Sequence, residues 1–138
     1  MILLADTNVV IDFIKAIRRD EMSSPIVSLF AKHEVVLCGI VKAELLYGAY
    51  SNKNQRELLD FVSCYTSVDL VGSDWNVFGT QLYEYRTKGV TVPFTDAVIA
   101  SISIRHNIPV WTDDKHFDMM QNVIPELQVV RTEELVSE

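Results

Sequence analysis

The sequence predicts an α/β fold built on a mostly parallel sheet. Short, unbroken apolar runs alternate with longer helical stretches along 138 residues, the pattern of strands linked by crossover helices. No internal repeat, low-complexity tract or Pro/Gly/Ser linker divides the chain. Hydrophobic residues make up 49% of it, enough for one continuous core without staples. The expected organisation is a single domain over residues 1–138.

Ile2 to Ala5 reads as the first strand, and its continuous hydrophobicity suits a central position covered on both faces. A helix follows from about Asn8, capped near Thr7 or Asn8, with Val9, Val10, Phe13 and Ile14 apolar. Ser24-Pro25 starts a second helix that reaches about Lys32, because serine caps and proline suits the first helical position. Val35 to Cys38 is the second strand. Ile40 to Tyr50 is helical with Ala43, Leu45, Leu46 and Tyr47 turned inward, and Gln55 to Val62 is an amphipathic helix. A short strand is expected at Val68 to Val71. Ser73 or Asp74 caps the next helix and Gly89 ends it. Asp96 to His106 is helical, Pro109 to Trp111 is a strand, and Leu127 to Val130 is a last, edge strand.

Cys38 and Cys64 lie in apolar stretches without metal-ligand spacing and are expected to be free and buried. Asp6 interrupts the N-terminal apolar run far short of a secretory segment, and no stretch is long enough to span a bilayer, so a cytoplasmic protein without a membrane partner is expected. The formal charge of −7 runs against a general nucleic-acid binder. Divalent ions bound by the acids would reduce that charge. Basic residues also cluster at Lys15, Arg18 and Arg19, at Lys53 and Arg56, and at Arg86 and Lys88. Lys15, Arg18, Arg19, Arg86 and Lys88 are candidates for phosphate contact, although a residue of this kind is more often only a solvated surface charge.

The acidic residues carry the chemistry. Asp6 ends the first strand, where ligands of open α/β sheets gather, but an aspartate there also caps the next helix. Asp96 stands on the first turn of its helix, where an acid is favoured by the helix dipole alone. Asp113 and Asp114 follow a strand and have the turn residue as their alternative reading. Glu44 sits inside an apolar helical pattern. Pointing inward it needs a counter-ion; pointing outward it needs no explanation. Carboxylates gathered from strand ends and helix starts repel one another unless a cation intervenes. Such oxygen ligands suit Mg²⁺ or Mn²⁺ rather than structural zinc. Spacing alone leaves their convergence open.

The motifs LLADTNVVIDF, VKAELLYGA and PFTDAVIASISIRHNIPVWTDDKHF, in that order and across nearly the whole chain, resemble the PIN-domain family. Within it they are similar to the VapC toxin ribonucleases of toxin–antitoxin pairs. The resemblance implies a three-layer α/β/α sandwich with the acids at the carboxyl end of the sheet. It places the family's acids on Asp6, Glu44, Asp96 and Asp114, holding one or two Mg²⁺ or Mn²⁺ ions. Asp113 is a further outer ligand or substitute, and Thr7, Asn8 and Thr112 would support. Phe117 matches a family packing position. His116 stands where relatives often carry another aspartate, which puts a fifth carboxylate in doubt and gives this chain a histidine that is a general-acid candidate.

The implied activity is endonucleolytic RNA hydrolysis leaving a 5′-phosphate and a 3′-hydroxyl. The implied partners are RNA, a second copy of the chain, and an antitoxin whose basic inhibitory segment enters the acidic site. Association with operator DNA would run through that antitoxin. Stretches 24–34 and 51–65 are candidate partner surfaces. The alternatives are a PIN-like nuclease of RNA processing or of DNA, and a non-catalytic nucleic-acid-binding relative. A receiver or aspartyl-phosphatase is disfavoured by the poor fit of Asp6-Thr7-Asn8 and the missing downstream lysine. Trp111 is expected in the core, while Trp75, Tyr47, Tyr50 and Tyr83 stay open between core, interface and base stacking.

Overall fold

The first strand occupies the middle of the sheet. In the computed structural model, which describes residues 1–138, β1 (Ile2–Ala5) pairs in parallel with β2 (Glu34–Val36) on one side and β3 (Val110–Trp111) on the other. β4 (Val129–Val130) lies beyond β3, so the order is β2-β1-β3-β4 with every pair parallel. Leu3, Leu4 and Ala5 have no exposed surface, as expected of a strand covered on both faces.

The chain leaves β1 through α1 (Thr7–Arg18) and α2 (Pro25–Lys32) to reach β2, then passes through α3 (Gly39–Tyr47) and α4 (Asn52–Ser63). It returns through α5 (Asp74–Thr87) and α6 (Phe94–His106) to β3 on the opposite side of β1. α7 (His116–Val123) leads to β4, and α8 (Thr132–Val136) closes the chain. Helices α1 to α4 and α8 pack among themselves, as do α5 to α7, which gives the three-layer sandwich. No helix is long and apolar enough to cross a membrane.

Local chemistry explains most of these boundaries. Pro25 opens α2, and Ser51 Oγ caps α4 by accepting from Asn54 N–H at 3.0 Å. Asn107 adopts a left-handed conformation (φ 54°) to end α6. Ala97 through Ser103 are all buried, so α6 is covered all round rather than amphipathic. Trp111 and Phe117 are fully buried, and Phe13, Phe30 and Trp111 form a chain of aromatic contacts between the first helices and the sheet.

Four expectations are corrected. The strand at Val68 to Val71 does not form; only Ser67 bridges to Leu37. Two aspartates divert that segment: Asp69 Oδ1 accepts from Gly39 N–H, and Asp74 Oδ2 accepts from Val71 N–H, so side chains take ladder positions. Cys64 is exposed, whereas Cys38 is buried. Leu58 and Val62 define the inward face of α4, and residue 64 lies well round from it. Ala43 and Tyr47 face outward, because Val41 and Leu45 set the inward face of α3. Helices α7 and α8 were not anticipated. Trp75, Tyr47, Tyr50 and Tyr83 are all exposed.

Candidate metal centre

β1 is the switch point of the sheet: the chain goes to β2 on one side and later to β3 on the other. At such a point the loops after neighbouring strands part and leave a crevice. Asp6 directly follows β1 and Thr112 directly follows β3. Asp6 N–H donates to Trp111 O at 3.0 Å, so the two strand ends are held side by side.

Asp6 is 4% exposed and satisfies two donors. Its Oδ1 accepts from Thr7 N–H at 2.7 Å, which caps α1, and its Oδ2 accepts from the Thr112 hydroxyl at 2.8 Å. Burial pushes its pKa up to about 6; the two hydrogen bonds oppose the rise, and the charges of Asp96 and Asp114 add to it. Cap and acidic-cluster member are therefore one residue in two roles. Thr112, fully buried, passes the connection on, since its oxygen also accepts from Asp114 N–H at 3.0 Å.

Asp114 Oδ1 in turn accepts from His116 N–H at 2.9 Å, fixing the first turn of α7. His116 Nδ1 lies 3.0 Å from Asp96 Oδ2 and 3.2 Å from Asp114 Oδ1. Asp96 is held above the ordinary carboxylate range, first by burial and further by Asp114 and Glu44, with His116 opposing. One ligand atom each from Asp96, Asp114 and His116 falls within 4.8 Å of the others.

Glu44 faces outward from α3, and its Oε1 accepts from the Thr7 hydroxyl at 2.8 Å. Thr7 thus ties α3 to the residue next to Asp6. Asn8 is exposed. Asp113 has other work: its two oxygens accept from the backbone and hydroxyl of Thr132, at 2.9 and 2.7 Å, which turns it toward α8. Lys15 and Arg18 line a groove of about 170 Å³ together with Glu44. Arg19, Arg86 and Lys88 are exposed, but none lines that groove. Arg86 lies over the Tyr83 ring of its own helix.

Sequence reasoning missed Arg131. Its Nη1 donates to the carbonyls of Thr112 and Asp114, at 3.2 and 2.9 Å, and its Nη2 pairs with Asp118 Oδ1 at 2.6 Å. One guanidinium therefore clamps the acid-bearing loop to α7. Nothing local marks that arginine; only its place after the edge strand, beside the loop of the neighbouring strand, gives it the role.

A parallel sheet with acids converging at its switch point defines a class, and comparison with known proteins agrees on which. Residues 3–122 match the PIN domain; the chain belongs to the PIN-domain family. Among solved structures it is similar to a chain of VapBC2 from Rickettsia felis, bound to a DNA fragment from its promoter. The TM-score is 0.73 and the identity 26%, over 95% of this chain and 98% of that one. VapBC-1 from nontypeable Haemophilus influenzae gives a TM-score of 0.70 and 20% identity, over 96% and 99%. DNA-bound VapBC from Salmonella typhimurium gives 0.70 and 22%, over 96% and 98%. At these lower identities the likeness is one of fold. No curated protein sequence matches the chain. Family and site together support a nuclease role with a divalent metal.

Proposed function

We propose that the chain is the toxin of a toxin–antitoxin pair, acting as an Mg²⁺- or Mn²⁺-dependent endoribonuclease that leaves a 5′-phosphate and a 3′-hydroxyl. The observation that carries the reading is the meeting of Asp96 and Asp114, from α6 and the β3 loop, beside Asp6 at the switch point. Burial raises the pKa of Asp6 and of Asp96, and neighbouring carboxylates add to the rise, Asp96 and Asp114 at Asp6 and Asp114 and Glu44 at Asp96. That unrelieved repulsion, with oxygen ligands as the main donors, fits a hard divalent cation.

Asp6, Asp96 and Asp114 would hold one or two ions, with Glu44 at the outer edge contributing directly or through water. When bound, the ions supply Lewis acidity, neutralising charge on the phosphodiester and acidifying water. The protein groups do the positioning. Thr112 orients the Asp6 carboxylate while fixing the Asp114 backbone. Thr7 holds Glu44 toward the crevice. Lys15 and Arg18, in the groove beside Glu44, would take the phosphates flanking the scissile one.

The solved structures that resemble the chain are toxin–antitoxin complexes, some with DNA, which supports an antitoxin partner and, through it, operator DNA. Between α1 and α4 an apolar groove of about 480 Å³, lined by Phe13, Ile14, Ile17, Leu58, Phe61 and Tyr65, fits an amphipathic segment of such a partner. The acidic crevice complements a basic residue in that segment. A second copy of the chain completes the proposed assembly.

The test uses end-labelled single-stranded RNA, hairpin RNA and single-stranded DNA of matched sequence with partner-free protein and Mn²⁺. RNA fragments with 5′-phosphates are expected, with DNA left intact. Cleavage of DNA at equal rate, or of neither nucleic acid by folded, metal-loaded protein, contradicts the reading.

A further inference from the structure

His116 is the one nitrogen donor in an otherwise carboxylate centre. We infer that it is a metal ligand through Nδ1, and that it shifts the preference of the centre from Mg²⁺ toward Mn²⁺ and later first-row ions. The inference rests on reading the crevice as a metal centre and specifies which ion that centre selects.

Nδ1 lies 3.0 Å from Asp96 Oδ2 and 3.2 Å from Asp114 Oδ1. In an octahedron with bonds of about 2.1 Å, adjacent ligand atoms lie about 3.0 Å apart. The three side chains therefore already present two such edges. Nδ1 carries at most one proton, which two carboxylate oxygens at 3.0 and 3.2 Å can only share. A cation facing all three atoms satisfies both contacts together.

The position of the ring is also built rather than incidental. His116 opens α7, and its backbone N–H is bound by the same Asp114 oxygen that its ring approaches, at 2.9 Å. Arg131 anchors the Asp114 carbonyl from behind, and Phe117, the next residue, is fully buried. The backbone that carries the imidazole is thereby fixed at the edge of the crevice.

Ligand chemistry then sets the selectivity. Mg²⁺ is held by oxygen and gives up its water reluctantly, whereas imidazole suits the transition metals. Replacing one carboxylate or water position with imidazole costs Mg²⁺ binding more than Mn²⁺ binding. Affinity should rise further along the first-row series.

Pulsed electron paramagnetic resonance of the full chain loaded with Mn²⁺ tests this directly, because a bound imidazole imposes nitrogen modulation on the manganese signal. Competition by Mg²⁺ for the bound Mn²⁺ gives the preference, and circular dichroism confirms folding of each variant. Wild type should show nitrogen coupling. His116→Ala and His116→Asp should lose it, and in His116→Asp the Mn²⁺-over-Mg²⁺ preference should fall about tenfold. Asp96-dependent Mn²⁺ binding without nitrogen coupling overturns the role of His116 and leaves the metal centre standing. Coupling that persists in both His116 variants overturns it too, by tracing the nitrogen elsewhere. Failure of folded wild type to bind Mn²⁺ removes the centre and the inference together.

Discussion

Asp6 holds a helix cap and an acidic site with the same carboxylate, and its energetics follow from that conflict. Its native pKa of about 6 lies above the ordinary aspartate value of 3.8, so the folded chain keeps a proton that the unfolded chain releases. In metal-free protein the corresponding stability is fully present below about pH 4. It declines as pH rises toward about 6, by up to about 3 kcal/mol for a shift of two units. Thermal unfolding in chelator should show wild type losing stability relative to Asp6→Asn across that window. Asparagine retains the oxygen that caps Thr7 N–H, while its amide N–H donates to the Thr112 hydroxyl oxygen where the carboxylate accepted from it. Adding a divalent cation should reverse the loss in wild type, by binding the deprotonated cluster. Equal pH profiles for the two proteins would mean that Asp6 is not strained by its surroundings.

At the scale of elements, the loop after β3 is built by residues distant in sequence. Asp113 satisfies the first N–H of α8 across 19 positions, and Arg131 returns the favour by binding the carbonyls of Thr112 and Asp114. Asp113→Ala should cost about 1 kcal/mol in urea unfolding, the value of a lost helix cap, with metal affinity unchanged. Arg131→Met should cost about 2 kcal/mol, since it strips a charged donor from two carbonyls and leaves Asp118 unpaired, and it should weaken metal binding as well. A fall in metal affinity in Asp113→Ala would return that residue to the ligand set.

These long-range ties also show what the sequence can and cannot reveal. The four paired strands were legible as apolar runs, and α1, α2 and α6 from caps and spacing. The apolar run at Val68 to Val71 misled, because Asp69 and Asp74 outcompete the ladder for backbone donors. α7 left a trace in the spacing of Phe117, Met120 and Ile124. α8, only five residues long, is capped from another loop and had no adequate local signal. Asp6, Asp113 and Asp114 were legible as candidates from their places after strands, Asp96 from the first turn of its helix and Glu44 from its apolar helical surroundings. Their meeting depends on β3 returning beside β1, a fact of topology, and the family motifs supplied it where spacing did not.

Across the whole molecule, charge would set how the proposed RNA substrate is met. A net charge of −7 repels a polyanion, so productive binding must run through local cations near the crevice. Lys15 and Arg18 share a groove with Glu44, whereas Arg86 and Lys88 do not. Binding of single-stranded RNA to Asp96→Asn should therefore weaken in Lys15→Ala and Arg18→Ala. Each change should reduce the slope of log affinity against log salt by about 0.7. Arg86→Ala and Lys88→Ala should leave both quantities unchanged. An equal effect from all four would indicate diffuse attraction and no track into the site.

In the proposed nuclease, converging acids hold a metal for RNA cleavage. The most direct test is digestion of total RNA by purified, partner-free protein with Mn²⁺, with Mg²⁺, and with excess chelator, alongside Asp96→Asn. A metal-dependent nuclease gives discrete fragments with metal, none in chelator, and at least about a hundredfold loss in the folded variant, as expected when a cation is no longer held for hydrolysis. Equal cleavage by wild type and Asp96→Asn, or cleavage undiminished by chelator, would contradict that mechanism.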